Sequence, residues 1–197
     1  MTNHTLRPMG SVTLKDIYAA SRLIKTTVCR TPLVPSFALS ALVGTDVRLK
    51  MENLQHTGSF KLRGAANVLA CLSADQQRAG VIAPTAGNHG LGLACAGQVA
   101  GIPVSIFLPL SADPIKVSAM KNYGAQVTFF ENIEDARQAA IIAAQQSGAL
   151  FVSAYNNEKM IAGGGTVGLE IMEDWADADV IPVSYTHLRA HETRSKL

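Results

Sequence analysis

Short apolar segments of strand length alternate with helical patterns through most of this chain, and no other feature limits the possible folds as strongly. Val81-Ile82-Ala83, residues 104–108, Gln126–Phe130, Leu150-Phe151-Val152 and residues 178–183 read as strands. Between them, residues 91–100, 113–123 and Ile133–Ser147 read as helices, followed by two short helical segments at 158–162 and 167–175. Strands with little polar alternation need cover on both faces, which a parallel sheet between helices provides. The expected fold class is therefore α/β, with parallel sheets covered by helices. Ahead of this region, residues 13–25 read as a helix with Thr13 as its cap, Asp16 three residues on, and Ile17, Leu23 and Ile24 on one side. Thr31-Pro32-Leu33-Val34-Pro35 reads as extended, because each proline turns its predecessor away from the helical region. A short helix over 36–42 ends at Gly44, and a strand covers 47–51. From Ser184 the pattern stops: residues 184–197 are polar and basic, resemble translated adapter sequence, and are expected to be a non-native tail. The closing Ser195-Lys196-Leu197 matches a peroxisomal address, but it lies within that tail.

Composition narrows the function classes. A hydrophobic fraction of 48% with 16% charged residues fits a packed globular chain of 197 residues. No apolar run approaches the roughly 18 residues of a membrane span, and the first residues lack the apolar core of a leader peptide. The formal charge of +2 resides wholly in the last fifteen residues, since up to Pro182 the chain balances at 14 Lys+Arg against 14 Asp+Glu. The basic residues neither cluster nor interleave with aromatics, so nucleic acid is not an expected partner. Cys29, Cys71 and Cys95 are too widely spaced for a disulfide framework or a zinc site, and read as free thiols in a reducing cytoplasm. Glu131, Glu134 and Asp135 have no histidine nearby, and no metal is assigned.

Three motifs carry the chemistry. The first is Glu52-Asn53-Leu54-Gln55-His56-Thr57-Gly58-Ser59-Phe60-Lys61-Leu62-Arg63-Gly64-Ala65, where a strand and a turn lead into a helix that starts near Lys61. A lysine at a helix start is most often solvated. A lysine amine can also condense with an aldehyde cofactor, for which it must be neutral at some stage. The positive end of the helix dipole favours the neutral form. Phe60 reads either as packing against such a cofactor or as core. The second motif is Pro84-Thr85-Ala86-Gly87-Asn88-His89-Gly90-Leu91-Gly92, between a strand and a helix, where free backbone N–H groups make an anion site. Gly87, Gly90 and Gly92 would let that backbone approach a ligand, most naturally a substrate carboxylate. His89 reads as a structural cap on its own helix. The third, Gly163-Gly164-Gly165-Thr166-Val167-Gly168, fits a dinucleotide fingerprint, but no strand runs directly into it and its acidic partner would fall in the tail.

The first motif closely resembles the cofactor-lysine motif of pyridoxal-phosphate enzymes of the tryptophan-synthase-β superfamily, fold type II, in the form used by threonine and serine dehydratases. The second is similar to that family's asparagine loop, with Thr85 where many relatives have serine. Ile161-Ala162-Gly163-Gly164-Gly165-Thr166-Val167-Gly168-Leu169-Glu170 looks like its glycine-threonine segment, a tight lead into a helix. The resemblance covers residues 13–183 with the three motifs in order. It implies a two-domain α/β fold with the cofactor in the cleft. Residues 1–77 would be the N-terminal part of the large domain, 78–154 the small domain, and 155–183 the return to an incomplete large domain. It implies pyridoxal 5'-phosphate held as an aldimine on Lys61, with Phe60 and Asn88 also at the cofactor, Asn88 on its phenolic oxygen. Ser59, Thr85, Ala86, Gly87, Asn88 and His89 would bind substrate, and Lys61 would be the catalytic base. The implied reaction is β-elimination from L-threonine or L-serine to a 2-oxo acid and ammonia, in a cytoplasmic enzyme whose intact form is a homo-oligomer. The family next requires a glycine-rich loop around the cofactor phosphate, but the chain runs Pro182-Val183-Ser184-Tyr185-Thr186. The expectation is therefore a C-terminally truncated chain. Two alternatives stand beside the dehydratase reading. One is an inactive fragment without stable cofactor binding; the other, for the intact gene, is a serine racemase-like, β-replacement or other hydroxy-amino-acid lyase activity.

Overall fold

A computed structural model describes residues 12–183. Helix α1 (Leu14–Leu23) starts at a reciprocal capping box: the Thr13 hydroxyl accepts from the Asp16 N–H, and the Asp16 carboxylate accepts from the Thr13 N–H at 2.9 Å. Strand β1 (Leu33–Pro35), helix α2 (Phe37–Val43) and strand β2 (Arg48–Lys50) follow. β1 and β2 pair antiparallel, Leu33 opposite Lys50, as a two-stranded ribbon. A single 3-10 turn, Glu52–Leu54, leads towards α3 (Lys61–Ala70). Helix α4 (Ala74–Ala79) has no counterpart in the sequence reading: its residues carry no apolar stripe, and only the Ser73–Gln76 capping box marks it.

The remaining elements alternate: β3 (Val81–Pro84), α5 (Asn88–Ala100), β4 (Val104–Pro109), α6 (Pro114–Asn122), β5 (Gln126–Phe130), α7 (Ile133–Ser147), β6 (Leu150–Phe151) and α8 (Glu158–Asp174). The four strands form one parallel sheet in the order β5-β4-β3-β6. Successive side chains point to opposite faces, and both faces are covered. Val81, Ala83, Val104, Ile106 and Leu108 join the larger core with Leu93 and Ala94 of α5 and Val117 and Met120 of α6. Ile82, Phe107 and Phe151 instead meet Ala140, Ala143 and Ala144 of α7. The larger core runs on through Leu62, Ala65, Val68 and Leu69 of α3 to Met160 of α8. Every residue of α3 from Leu62 to Leu69 is buried, with α5 and α8 packed against it.

Three expectations need correction. The segments at 158–162 and 167–175 are one helix, α8, so the triple glycine lies mid-helix and is not a lead into one. Glycine is disfavoured there by about 1 kcal/mol per residue, but a Cβ on Gly163 would lie 2.5 Å from the Arg63 carbonyl oxygen and 2.8 Å from the Gly64 Cα. Packing against α3 outweighs propensity. Residues 178–183 form no strand; a strand exists only by pairing, and among the described residues none lies beside this segment. Val180 there is 77% exposed. Finally, α5 begins at Asn88 rather than at 91, which places Asn88 and His89 within its first turn. The 184–197 tail lies outside the described residues.

Candidate active site

The strand order reverses between β3 and β6, and in open α/β sheets ligands bind beyond the carboxyl ends of strands at such a point. After β3 comes Thr85-Ala86-Gly87, leading into α5; after β6 comes the 152–157 loop. Helix α3 brings Lys61 to the same place. Gly92 of α5 seats against the start of α3, since a Cβ there would lie 3.1 Å from the Lys61 carbonyl carbon and oxygen and from the Leu62 nitrogen. Gly90 likewise admits the Thr85 methyl and Met120. These two glycines therefore serve packing inside the protein rather than ligand approach. Gly87 is different: a Cβ on it would meet nothing within 4 Å, so its backbone faces open space.

Lys61 is the first residue of α3 and is half-buried. Burial holds its amine below the usual lysine range. It has no ion pair among the described residues; its Nζ stands 4.9 Å from the Phe60 ring centroid and 5.6 Å from that of Tyr155. Phe60 is 42% exposed and is not core. Tyr155 lies on the loop after β6, where the Ser153 hydroxyl accepts from the N–H groups of Tyr155 and Asn156 at 3.3 Å each. Sequence reasoning missed Tyr155, because strand order places it beside Lys61 and strand order is not written in any local pattern.

The loop from Thr85 to His89 is half open. The Thr85 hydroxyl accepts from the Gly87 N–H at 3.2 Å, while Ala86 and Asn88 are exposed. His89 is buried, and its Nε2 lies 3.3 Å from the Val152 carbonyl oxygen at the end of β6. It ties the two loops together instead of capping its own helix. A carbonyl only accepts, so Nε2 carries the hydrogen and Nδ1 is left as a buried acceptor without a partner among the described residues. Burial, with the Lys61 charge nearby, lowers the His89 pKa to about 4, so the ring is neutral at neutral pH.

Behind Lys61 lies a buried ion network that the sequence reading did not pick out. Arg63, with 0% side-chain exposure, donates from Nε and Nη2 to Glu52 at 2.9 and 2.8 Å, and from Nη1 and Nη2 to Glu170 at 2.6 and 3.0 Å. Lys50 Nζ lies 2.6 Å from Glu170, and the Thr31 hydroxyl donates to Glu52 at 2.6 Å. Two cations and two carboxylates balance, and α3 is thereby pinned to α8, β2 and the 3-10 turn. Truncating one member of such a set strands the others.

These residues suit pyridoxal phosphate. The site offers a half-buried amine of lowered pKa and a loop with open backbone at Gly87. It also holds two buried hydroxyls without hydrogen-bond partners among the described residues, Ser59 Oγ and Thr57 Oγ1, on the turn leading to Lys61. Unpaired buried polar atoms are costly unless a ligand meets them.

Comparison with known proteins gives this geometry its class. The pyridoxal-phosphate dependent enzyme family matches residues 24–187. The chain belongs to that family, an α/β enzyme family of fold type II that depends on pyridoxal phosphate. Within it, the chain is 47% identical over 173 residues to an L-threonine ammonia-lyase of Thermotoga maritima, covering 87% of this chain and 43% of the relative. It is 39% identical over 183 residues to the catabolic L-threonine dehydratase TdcB of Staphylococcus aureus, covering 91% and 53%. Among solved structures, maize serine racemase superposes with a TM-score of 0.82 at 32% identity, over 85% of this chain and 51% of the racemase. The chain spans about half the length of the curated relatives it matches. Among the described residues no helix is long and apolar enough to cross a membrane.

Proposed function

We propose that this chain carries the cofactor lysine and the substrate-carboxylate loop of a pyridoxal-phosphate dependent ammonia-lyase acting on L-threonine or L-serine. The observation that carries the proposal is Lys61: a half-buried amine of lowered pKa, without an ion pair among the described residues, beside an open glycine loop. The names of the relatives favour threonine, and the likeness to serine racemase keeps racemisation as the second reading. Residues 78–154 would form the small domain, and 1–77 with 155–183 the large one.

When bound, pyridoxal phosphate supplies an aldehyde for the lysine amine and a ring that accepts the charge left as the substrate loses its α-proton. Lys61 Nζ takes that proton, and its burial keeps the amine readily neutral for the task. The free N–H groups at the start of α5 hold the substrate carboxylate, with the Ser59 and Thr85 hydroxyls beside them. Asn88, exposed at the first position of α5, would meet the cofactor's phenolic oxygen. Phe60 and Tyr155 shield the amine from water. Loss of the β-hydroxyl and hydrolysis then give a 2-oxo acid and ammonia. Three free thiols support a reducing compartment such as the cytoplasm. In this reading the intact protein is a homo-oligomer.

The test is to titrate the purified chain with pyridoxal phosphate, reduce with borohydride and map the adduct by peptide mass spectrometry. Labelling of Lys61, lost in Lys61→Ala, is expected; labelling confined to surface lysines overturns the assignment. Assay of the intact protein with L-threonine and L-serine then separates 2-oxo acid formation from appearance of the D-amino acid.

A further inference from the structure

The segment between α1 and β1 meets the turn ahead of α3 at a thiol and an imidazole. Cys29 Sγ lies 3.3 Å from His56 Nε2 and 3.9 Å from Nδ1. The pair is held from behind. The Gln55 side chain, itself buried, accepts from the Cys29 N–H and donates to the Cys29 carbonyl, both at 2.9 Å. Arg63 Nη2 donates to the same carbonyl at 3.2 Å. Three hydrogen bonds thus fix the Cys29 backbone, while its thiol is half-buried and the His56 ring is exposed to solvent.

We infer that Cys29 and His56 form a thiol-modification site, in which the imidazole activates the sulfur towards low-molecular-weight disulfides. The Cys29 S–H bond breaks and its proton passes to His56 Nε2, which in the Nδ1–H tautomer is free to accept it. The sulfur attacks one sulfur of the small disulfide and a new S–S bond forms. The other half leaves as a thiolate and takes up a proton. The protein thiol is oxidised as the small disulfide is reduced, and the step balances without a further reagent. Nothing in this exchange uses Lys61, so the inference stands apart from the cofactor reading.

The other two cysteines provide the contrast. Cys71 is exposed but, among the described residues, bonds no histidine. Cys95 is buried, and burial pushes its thiol pKa up. If access alone governed reactivity, Cys71 would react first. If the imidazole governs it, Cys29 reacts first despite its lower exposure.

The experiment exposes the chain to glutathione disulfide and follows each cysteine-containing peptide by mass spectrometry over time. Cys29 is expected to be modified about tenfold faster than Cys71, and His56→Gln to erase that lead while the Cys71 rate stays unchanged. His56 is exposed, so the substitution leaves the fold in place, and the constant Cys71 rate reports on that directly. Modification of Cys71 as fast as Cys29 in the unaltered chain, or a Cys29 rate indifferent to His56→Gln, overturns the inference.

Discussion

Gly163 of α8 lies so close to Gly64 of α3 that a Cβ on Gly163 would come within 2.8 Å of the Gly64 Cα. The two helices meet at backbone distance, and that contact holds α3, with Lys61 at its tip, in its place. Gly163→Ala must push backbone atoms apart, and destabilisation of about 1–3 kcal/mol is expected. Gly164→Ala provides the control on the next residue. A Cβ there meets only Phe60 Cε2 at 3.9 Å, so the helix-propensity gain of up to about 1 kcal/mol should appear as a neutral or raised urea midpoint. Equal midpoints for the two variants would refute the contact argument.

The Glu170 carboxylate is the shared partner of Arg63 and Lys50. Desolvation raises its pKa, but hydrogen bonds from Arg63 and Lys50 more than offset this and hold it below the ordinary glutamate value. A carboxylate with a depressed folded pKa adds stability above its unfolded pKa and loses it as pH falls through the folded one. Unfolding stability should therefore drop as pH falls below about 4.5, and Glu170→Gln should flatten that part of the profile. At neutral pH, removal of the charge altogether in Glu170→Ala is expected to cost about 3–5 kcal/mol, because two buried cations lose a partner.

His89 predicts a second, separate pH dependence. Its pKa is lowered from 6.5 to about 4 in the folded chain. Between these values the unfolded chain binds more protons, so stability rises with pH through that window and is complete above about 6.5. The full change is on the order of 3 kcal/mol. His89→Gln should remove this slope, and the His89 ring resonances of the native protein should not titrate above about pH 5.

Lys61 should titrate unlike the surface lysines. Burial favours its neutral amine, so graded acylation followed by peptide mass spectrometry should label Lys61 at lower pH than exposed Lys25. Labelling of both at the same pH would remove the support that burial lends to its proposed role.

Much of this was legible in local sequence. The Thr13–Asp16 capping box, the Asp113-Pro114 helix start, the α7 bounds and the four strands of the parallel sheet follow from spacing and residue type, because their causes lie within a few residues. The place of α8 was not legible, since local propensity at Gly163-Gly164-Gly165 argues for a break, and only α3 and α1 lying against those glycines make a helix the better solution. Residues 178–183 look like a strand for the converse reason: their apolar character is local, but pairing needs a neighbour.

The site divides along the same line. The sequence by itself determined the lysine at a helix start, the glycine loop between a strand and a helix, and the family those strings resemble, because each is a contiguous pattern. Only the tertiary structure decided that Tyr155 faces Lys61, that His89 bonds the Val152 carbonyl, and that Arg63 bridges Glu52 and Glu170. Those partners lie 94, 63, 11 and 107 residues apart in the chain. Strand order and helix packing bring them together, and neither is encoded in any single stretch of residues.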